Sequence, residues 1–275
     1  MLRKRFLPTV IVAAVAGATA WAAYAQQYRE GGAPTRYAPA HMPDGSFVVC
    51  RLSYRSVRVE PMGIGWQTDY PYAEINFSTR VSELTKTHVS RDDTNTPNYY
   101  VVRPTDDALF NCPFIMASDV GTIGFRPEEI DKLRAYLLKG GFLWVDDFWG
   151  TRAWEQWSTE IGRVLPSWEY PIRDVPMDDP MLRSMFELHK IPQITNIQFW
   201  RRVQGRTTSE RGADSDEVHL RAIRDTHGRI MVLMSHNTDV ADSWEREGED
   251  PGFFYQFSPD GYALGIDVLV HAMSH

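Results

Sequence analysis

No phosphate-binding loop and no G-x-G-x-x-G segment follows a strand-like run in this 275-residue chain, so the common nucleotide-binding motifs are absent. No G-x-S-x-G or G-x-C-x-G elbow exists, which leaves a strand-to-helix nucleophile unsupported. H-E-x-x-H and paired C-x-x-C segments are missing, and with them the usual zinc signatures. On these absences no metal and no cofactor is expected. Basic charge is short as well: the net charge of −7 becomes −10 once the three basic residues of positions 1–25 are set aside. An acidic domain without a basic stripe repels nucleic acid, which is excluded as an expected partner. There is no internal repeat. Only two cysteines occur, Cys50 and Cys112. They are open to two readings, a disulfide between neighbouring strands or two separate buried thiols.

The amino terminus reads as a targeting segment. Arg3, Lys4 and Arg5 form a basic region, residues 6–22 are apolar and rich in small side chains, and Ala23-Tyr24-Ala25 is an A-x-A cleavage site. Residues 1–25 are therefore expected to be a signal peptide, with Gln26 the new amino terminus and the product periplasmic or secreted. The alternative is an uncleaved anchor, since the apolar run approaches spanning length. Arg3-Lys4-Arg5-Phe6-Leu7 also resembles a twin-arginine export signal with Lys4 in place of the second arginine. Residues 26–45, rich in Gly, Pro, Ala and Gln, read as a tether, disordered or draped over the surface. With 43% hydrophobic and 12% aromatic residues, positions 46–275 suffice for a single large core.

Within that domain, strands and helices alternate. The runs at 47–52, 99–102, 113–117 and 142–145 read as strands, the last buried on both faces as in a parallel sheet. Pro71 opens a helix with Ala73, Phe77, Val81 and Leu84 as its core stripe, and Pro127 opens another with Ile130, Leu133 and Leu137. A third helix carries Trp154, Trp157, Ile161 and Val164. In the second half, residues 197–203 read as a strand, and residues 218–223 and 230–234 as a hairpin about Asp225-Thr226-His227-Gly228. Residues 262–273 read as a closing helix. The fold class is α/β: a three-layer, flavodoxin-like sandwich with a mostly parallel sheet and a hairpin towards its carboxyl end.

Ligands of open α/β sheets bind beyond the carboxyl ends of the strands, and three groups of residues fall there. Trp66, Asp69 and Tyr70 lie on the loop between the first strand and its helix, where an aromatic–carboxylate group suits a polar ligand, though Asp69 could instead cap the helix and the rings could roof the core. Asp146 and Asp147 follow the fourth strand, placed for metal binding, acid–base work or helix capping by Asp147 or Thr151. Ser235-His236-Asn237-Thr238-Asp239 follows a later strand, with Asp242 and Trp244 beyond it. Asn76 and Arg80, one turn apart on the first helix, could support the loop from behind.

Several motifs together resemble an uncharacterised bacterial family, domain of unknown function 4159. They are W-Q-T-D-Y-P at 66–71, R-V-S-E-L-T at 80–85, L-F-N-C-P-F at 109–114, G-G-F-L-W-V-D-D at 140–147, G-R-I-M-V-L at 228–233, N-T-D at 237–239 and A-L-G-I-D at 263–267. The likeness spans roughly residues 46–274. It implies the class I glutamine amidotransferase-like superfamily, and the tail is also similar to trehalose-utilisation-type members. An amidotransferase needs a cysteine at a strand-to-helix elbow, and neither Cys50 nor Cys112 sits in one, so the resemblance implies the fold without that activity. The functions left are recognition of a small polar ligand or an envelope partner through Trp66, Asp69, Tyr70, Asp146, Asp147, Asn237 and Asp239; a hydrolase using Asp146 or Asp147 as base or metal ligand with His236 as acid; and a purely structural envelope protein.

Overall fold

Apolar runs of four to seven residues need neighbours on both sides, and the computed structural model, which describes residues 34–274, joins them into one seven-stranded sheet. The strands are β1 (Val49–Leu52), β2 (Tyr99–Val102), β3 (Phe114–Ser118), β4 (Phe142–Phe148), β5 (Ile172–Asp174), β6 (His219–Arg224) and β7 (Ile230–His236). Their order is β2-β1-β3-β4-β7-β6-β5. The first five in that order are parallel neighbours, and β6 and β5 add an antiparallel edge. The sheet is mostly parallel, consistent with a flavodoxin-like α/β fold. The segment expected to be a signal peptide and the first part of the expected tether, up to residue 33, lie outside the described residues.

The six helices of the described residues are α1 (Tyr72–Leu84), α2 (Pro127–Leu138), α3 (Gly150–Val164), α4 (Ile197–Val203), α5 (Asp242–Glu245) and α6 (Pro251–Ser274). Alternation along the strands divides the core into two layers. Ile115, Ala117, Leu143 and Val145 face one layer, covered by Leu133 and Leu137 of α2 and by Trp157, Ile161 and Val164 of α3. Phe114, Met116, Phe142 and Trp144 face the other, covered by Ala73, Phe77 and Val81 of α1 and by Leu264, Ile266 and Val268 of α6. Gly265 permits the close approach of α6: a Cβ there would lie 2.5 Å from the Trp244 ring.

Four expectations change. Residues 197–203 form α4 and not a strand. A short apolar run is ambiguous by periodicity, and here capping decides it: the Asn196 side chain accepts from Gln198 N, and Asp242 Oδ2 accepts from Ile197 N. The closing helix begins at Pro251, not at 262, because Asp250 accepts from the Gly252 and Phe253 amides and Phe253 and Phe257 bury against Ile194 and Ile197. Leu84, assigned to the α1 stripe, is 45% exposed at the frayed end of the helix. Finally, part of the tether is ordered: Ala38 N donates to Val101 O and Val101 N to Arg36 O, so the segment pairs with the outer edge of β2.

Cys50 and Cys112 are joined by a disulfide that ties β1 to the turn before β3, and both are fully buried. The bridge closes a loop of 62 residues, which in the chain-entropy account contributes about 4 kcal/mol. Cys50→Ala, Cys112→Ala is therefore expected to lower the urea-denaturation free energy by about 2–5 kcal/mol relative to the oxidised chain. A change below about 1 kcal/mol would mean that the strands hold their register without the bridge.

Candidate functional site

The carboxyl ends of β1, β3, β4 and β7 meet on one edge of the sheet, and that edge is built from acids. Asp119 follows β3, Asp146 and Asp147 close β4, Asp239 follows β7, and Asp69 enters from the loop before α1. Asp242 and Glu245 come from α5. Asp69, Asp119, Asp146, Asp239 and Asp242 are all buried. Asp69, Asp119, Asp147 and Asn237 also have positive φ, between 53° and 67°. Asp and Asn tolerate this left-handed region better than other side chains, and its concentration at one edge marks a place where the chain is bent to aim side chains.

One chain of polar contacts carries the edge into the core. Arg51, the lone charge within the apolar β1, is fully buried; its Nε donates to Glu74 Oε1 at 2.5 Å and its Nη1 to Ser118 Oγ at 2.6 Å. Ser118 Oγ donates in turn to Asp69 Oδ2 at 2.9 Å. Burial alone would lower the Arg51 pKa, but Glu74 and Asp69 outweigh it and hold the guanidinium charged. The Asp69 side chain therefore does not cap α1; its attachment is to β3.

The two acids of β4 differ. Asp146 uses both oxygens, accepting from Ser235 Oγ at 2.6 Å and from Ala241 N at 2.9 Å. Asp147 is held through one oxygen, Oδ1, by Trp149 Nε1 at 2.9 Å. Neither caps α3. That role falls to Asn237 Oδ1, which accepts from Gly150 N, and to Asp214, which accepts from Thr151 N and Oγ1. Gly150 is required there, at φ 78° with the Asp214 carboxylate 2.3 Å from where its Cβ would stand. Asn237 is fully engaged, since its Nδ2 also donates to the Glu217 carbonyl.

Electrostatically the edge is over-supplied with negative charge. Burial pushes the Asp119, Asp146 and Asp242 carboxyls up to about 7, and Asp147, Asp239 and Glu245 well above their ordinary range. Burial raises Asp69 too, against the pull of Arg51. Mutual repulsion adds to burial at Asp147 and Asp239. Among the described residues, the arginine that pairs with the cluster directly is Arg246, near Asp242 and Glu245.

The remaining sequence candidates are placed as follows. Trp66 and Tyr70 pack edge to face at 5.6 Å, and Tyr70 packs on Tyr99 at 5.5 Å, so this pair roofs the β2 side of the core. Asn76 Nδ2 donates to the Trp244 carbonyl and Arg80 pairs with Glu247, so both tie α1 to the segment carrying Asp242 and Glu245. His236 is not brought to Asp146. It stacks on Phe148 at 4.9 Å, on the α3 face of the sheet, whereas Asp146 bonds to Ser235 and Ala241 beside the other layer. Both His236 nitrogens are engaged: Nε2 lies 3.1 Å from the Gly150 carbonyl and Nδ1 3.3 Å from Arg221 Nη1. Burial drops its pKa to about 4. His236 instead lines a cavity of about 300 Å³ with Trp154, His219, Arg221 and Asn237. A larger hollow of about 920 Å³ opens at the opposite edge, near Phe47 and Pro113 where β1 and β3 begin.

Reading by residues missed Arg51, Glu74, Asp119, Glu245 and Arg246. Two signals are present: an arginine inside an apolar strand run rarely stands without a buried partner, and Asp119 follows β3 as Asp239 follows β7.

Fold and site thus define an α/β protein with a mostly parallel sheet and a buried carboxylate cluster at its carboxyl edge. The model of the family described as Domain of unknown function (DUF4159) matches residues 50–273, and the chain belongs to that family. No curated protein matches it.

Proposed function

We propose that the chain is an exported member of the class I glutamine amidotransferase-like superfamily that has no amidotransferase activity and binds a small polar ligand at the carboxyl edge of its sheet. The observation that carries this reading is the convergence of Asp69, Asp119, Asp147, Asp239, Asp242 and Glu245 on one edge, in excess of the arginines that balance them. A purely structural role has no use for so much buried like charge, which costs stability. Two further features support the reading. Both cysteines are consumed in the disulfide, leaving no thiol for amidotransfer, and a buried disulfide suits an oxidising compartment outside the cytosol. The burial of the acids favours a small ligand over an envelope protein.

A second reading, hydrolysis, draws on Asp119, Asp146 and Asp242 at about 7, close to the pKa wanted of a general acid or base at neutral pH. In that reading the acid is a carboxyl of the cluster and not His236.

Thermal melts against a panel of sugars, amino acids and polyamines test the binding reading, with Asp147→Asn as comparison. A true ligand at one hundred times its Kd is expected to raise the wild-type midpoint by about 5–10 °C, and the Asn variant by much less. No hit, or a hit unaffected by Asp147→Asn and Asp69→Asn, would overturn it.

A further inference from the structure

Two triads of acids in the cluster share one member. Single carboxylate oxygens of Asp69, Asp147 and Asp239 lie within 4.8 Å of one another, and so do those of Asp69, Asp242 and Glu245. Oxygens on opposite sides of a calcium ion stand about 4.6–5.2 Å apart, so each triad is compact enough to surround one hard cation with little adjustment.

The carboxylates are also held in the manner of metal ligands. Asp69 Oδ2 accepts from Ser118 Oγ, Asp147 Oδ1 from Trp149 Nε1, Asp239 Oδ1 from Asp242 N and Asp242 Oδ2 from Ile197 N. One oxygen of each is fixed by the protein, which orients the other. Asp146, bonded through both oxygens, lies outside either triad.

An independent observation comes from Asp242. It is fully buried, and its Oδ1 receives no hydrogen bond. Arg246 Nε stands 3.5 Å away and 2.7 Å from Glu245 Oε2, but neither contact is aligned as a hydrogen bond, and Arg246 Nε and Glu245 Oε2 are left unsatisfied too. Buried polar atoms are nearly always bonded, and each exception calls for a partner. In the first triad Asp147 and Asp239 form no ion pair among the described residues, and Asp69 feels Arg51 and Arg246 only at longer range.

We propose that Asp69, Asp147, Asp239, Asp242 and Glu245 form a centre for a hard divalent cation, with Asp69 common to both sets of ligands. This rests on the reading of the carboxyl edge as the binding site and names its ligand. An all-oxygen, all-carboxylate donor set without His or Cys selects calcium, magnesium or manganese over zinc or copper. The cation supplies the charge that the protein does not, and the single-donor hydrogen bonds leave each of the four aspartates an oxygen to coordinate it.

The test uses the purified chain, stripped with chelator and dialysed, titrated separately with CaCl2, MgCl2 and MnCl2 by calorimetry, with Mn2+ uptake also followed by water-proton relaxation. The expected result is saturable binding of at least one ion tighter than about 1 mM, the weak end for extracellular calcium modules. Asp69→Asn and Asp147→Asn should each weaken it at least tenfold, while Glu128→Gln, an exposed acid on α2, leaves it unchanged. Circular dichroism confirms that the variants fold. If they do not, the wild type alone decides, because a stripped chain that takes up none of the three ions overturns the proposal. Equal binding by wild type and folded variants overturns it as well. An organic ligand that binds through Asp147 where no cation does would sink the cation centre and leave the broader reading standing. A cation bound through Asp69 with no organic hit would uphold both the cation centre and the carboxyl edge as the binding site, and overturn only an organic ligand there.

Discussion

Arg51→Met is expected to destabilise the domain by about 3–5 kcal/mol, the usual cost of removing one partner of a buried ion pair. Arg51 is 0% exposed and Glu74 1% exposed, so solvent cannot take over the role of the lost guanidinium. Glu74 would keep a buried charge with no cation near it, or take up a proton. Ser118 would lose a donor, and Asp69 its nearest positive influence. Arg51→Met, Glu74→Met replaces the pair by apolar side chains of comparable length and should recover most of the loss. Urea denaturation of the wild type, the single variant and the double variant checks both statements. A single-variant loss under about 1 kcal/mol would show that Arg51 is not the electrostatic anchor of the edge.

Much of the scaffold was legible because its signals are local. The stretch around Trp144 is apolar on both faces and ends in Asp146 and Asp147, which is enough to place a central parallel strand and to point at its carboxyl end. Pro127 and the Glu129 side chain, which accepts from Arg126 N, mark the start of α2 unaided. Asp69, Asp147 and Asp239 stand out by their positions after strands and before a helix, and the fold brings these three together. Failures arose where distant residues decide. Residues 197–203 became a helix through Asn196 and Asp242, the latter 45 positions away from Ile197. Glu245 and Arg246 join the cluster because α5 folds back beneath α1, which the sequence around them does not announce. His236 had the right neighbours in sequence, but strand alternation and Phe148 carry it to the opposite face. The choice between a disulfide and two thiols turned on the 6.0 Å Cα separation of Cys50 and Cys112, which spacing alone does not encode.

The second large effect is on pH dependence, and its sign is unusual for an acidic protein. A carboxyl whose folded pKa is raised contributes stability that is complete below its unfolded pKa, near 3.8 for Asp, and lost as pH rises through the folded value. Asp119, Asp146 and Asp242, at about 7, place that loss between about pH 4 and pH 7, and the higher values of Asp147, Asp239 and Glu245 extend it upward. His236 acts in the opposite direction. Its folded pKa of about 4 lies below the unfolded 6.5, so its contribution is lost as pH falls through that interval, and His219 shifts the same way. These acids, with Asp69, Glu210 and Asp267 raised as well, outweigh two histidines. Each net proton held by the folded state tilts stability by about 1.4 kcal/mol per pH unit. A hard cation binds the ionised carboxylates and so recovers most stability at the alkaline end.

The most direct measurement is urea denaturation of the chelator-treated chain at pH 4, 5, 6, 7 and 8, with and without 5 mM CaCl2, about five times the weakest affinity expected of a calcium module. The account predicts that unfolding free energy falls by at least about 1.4 kcal/mol per pH unit between pH 5 and 7 in the absence of calcium, and that calcium reduces the fall at pH 7 and 8. Stability that stays level or rises from pH 5 to 7, with calcium making no difference at pH 8, would contradict a carboxyl edge built from uncompensated buried acids.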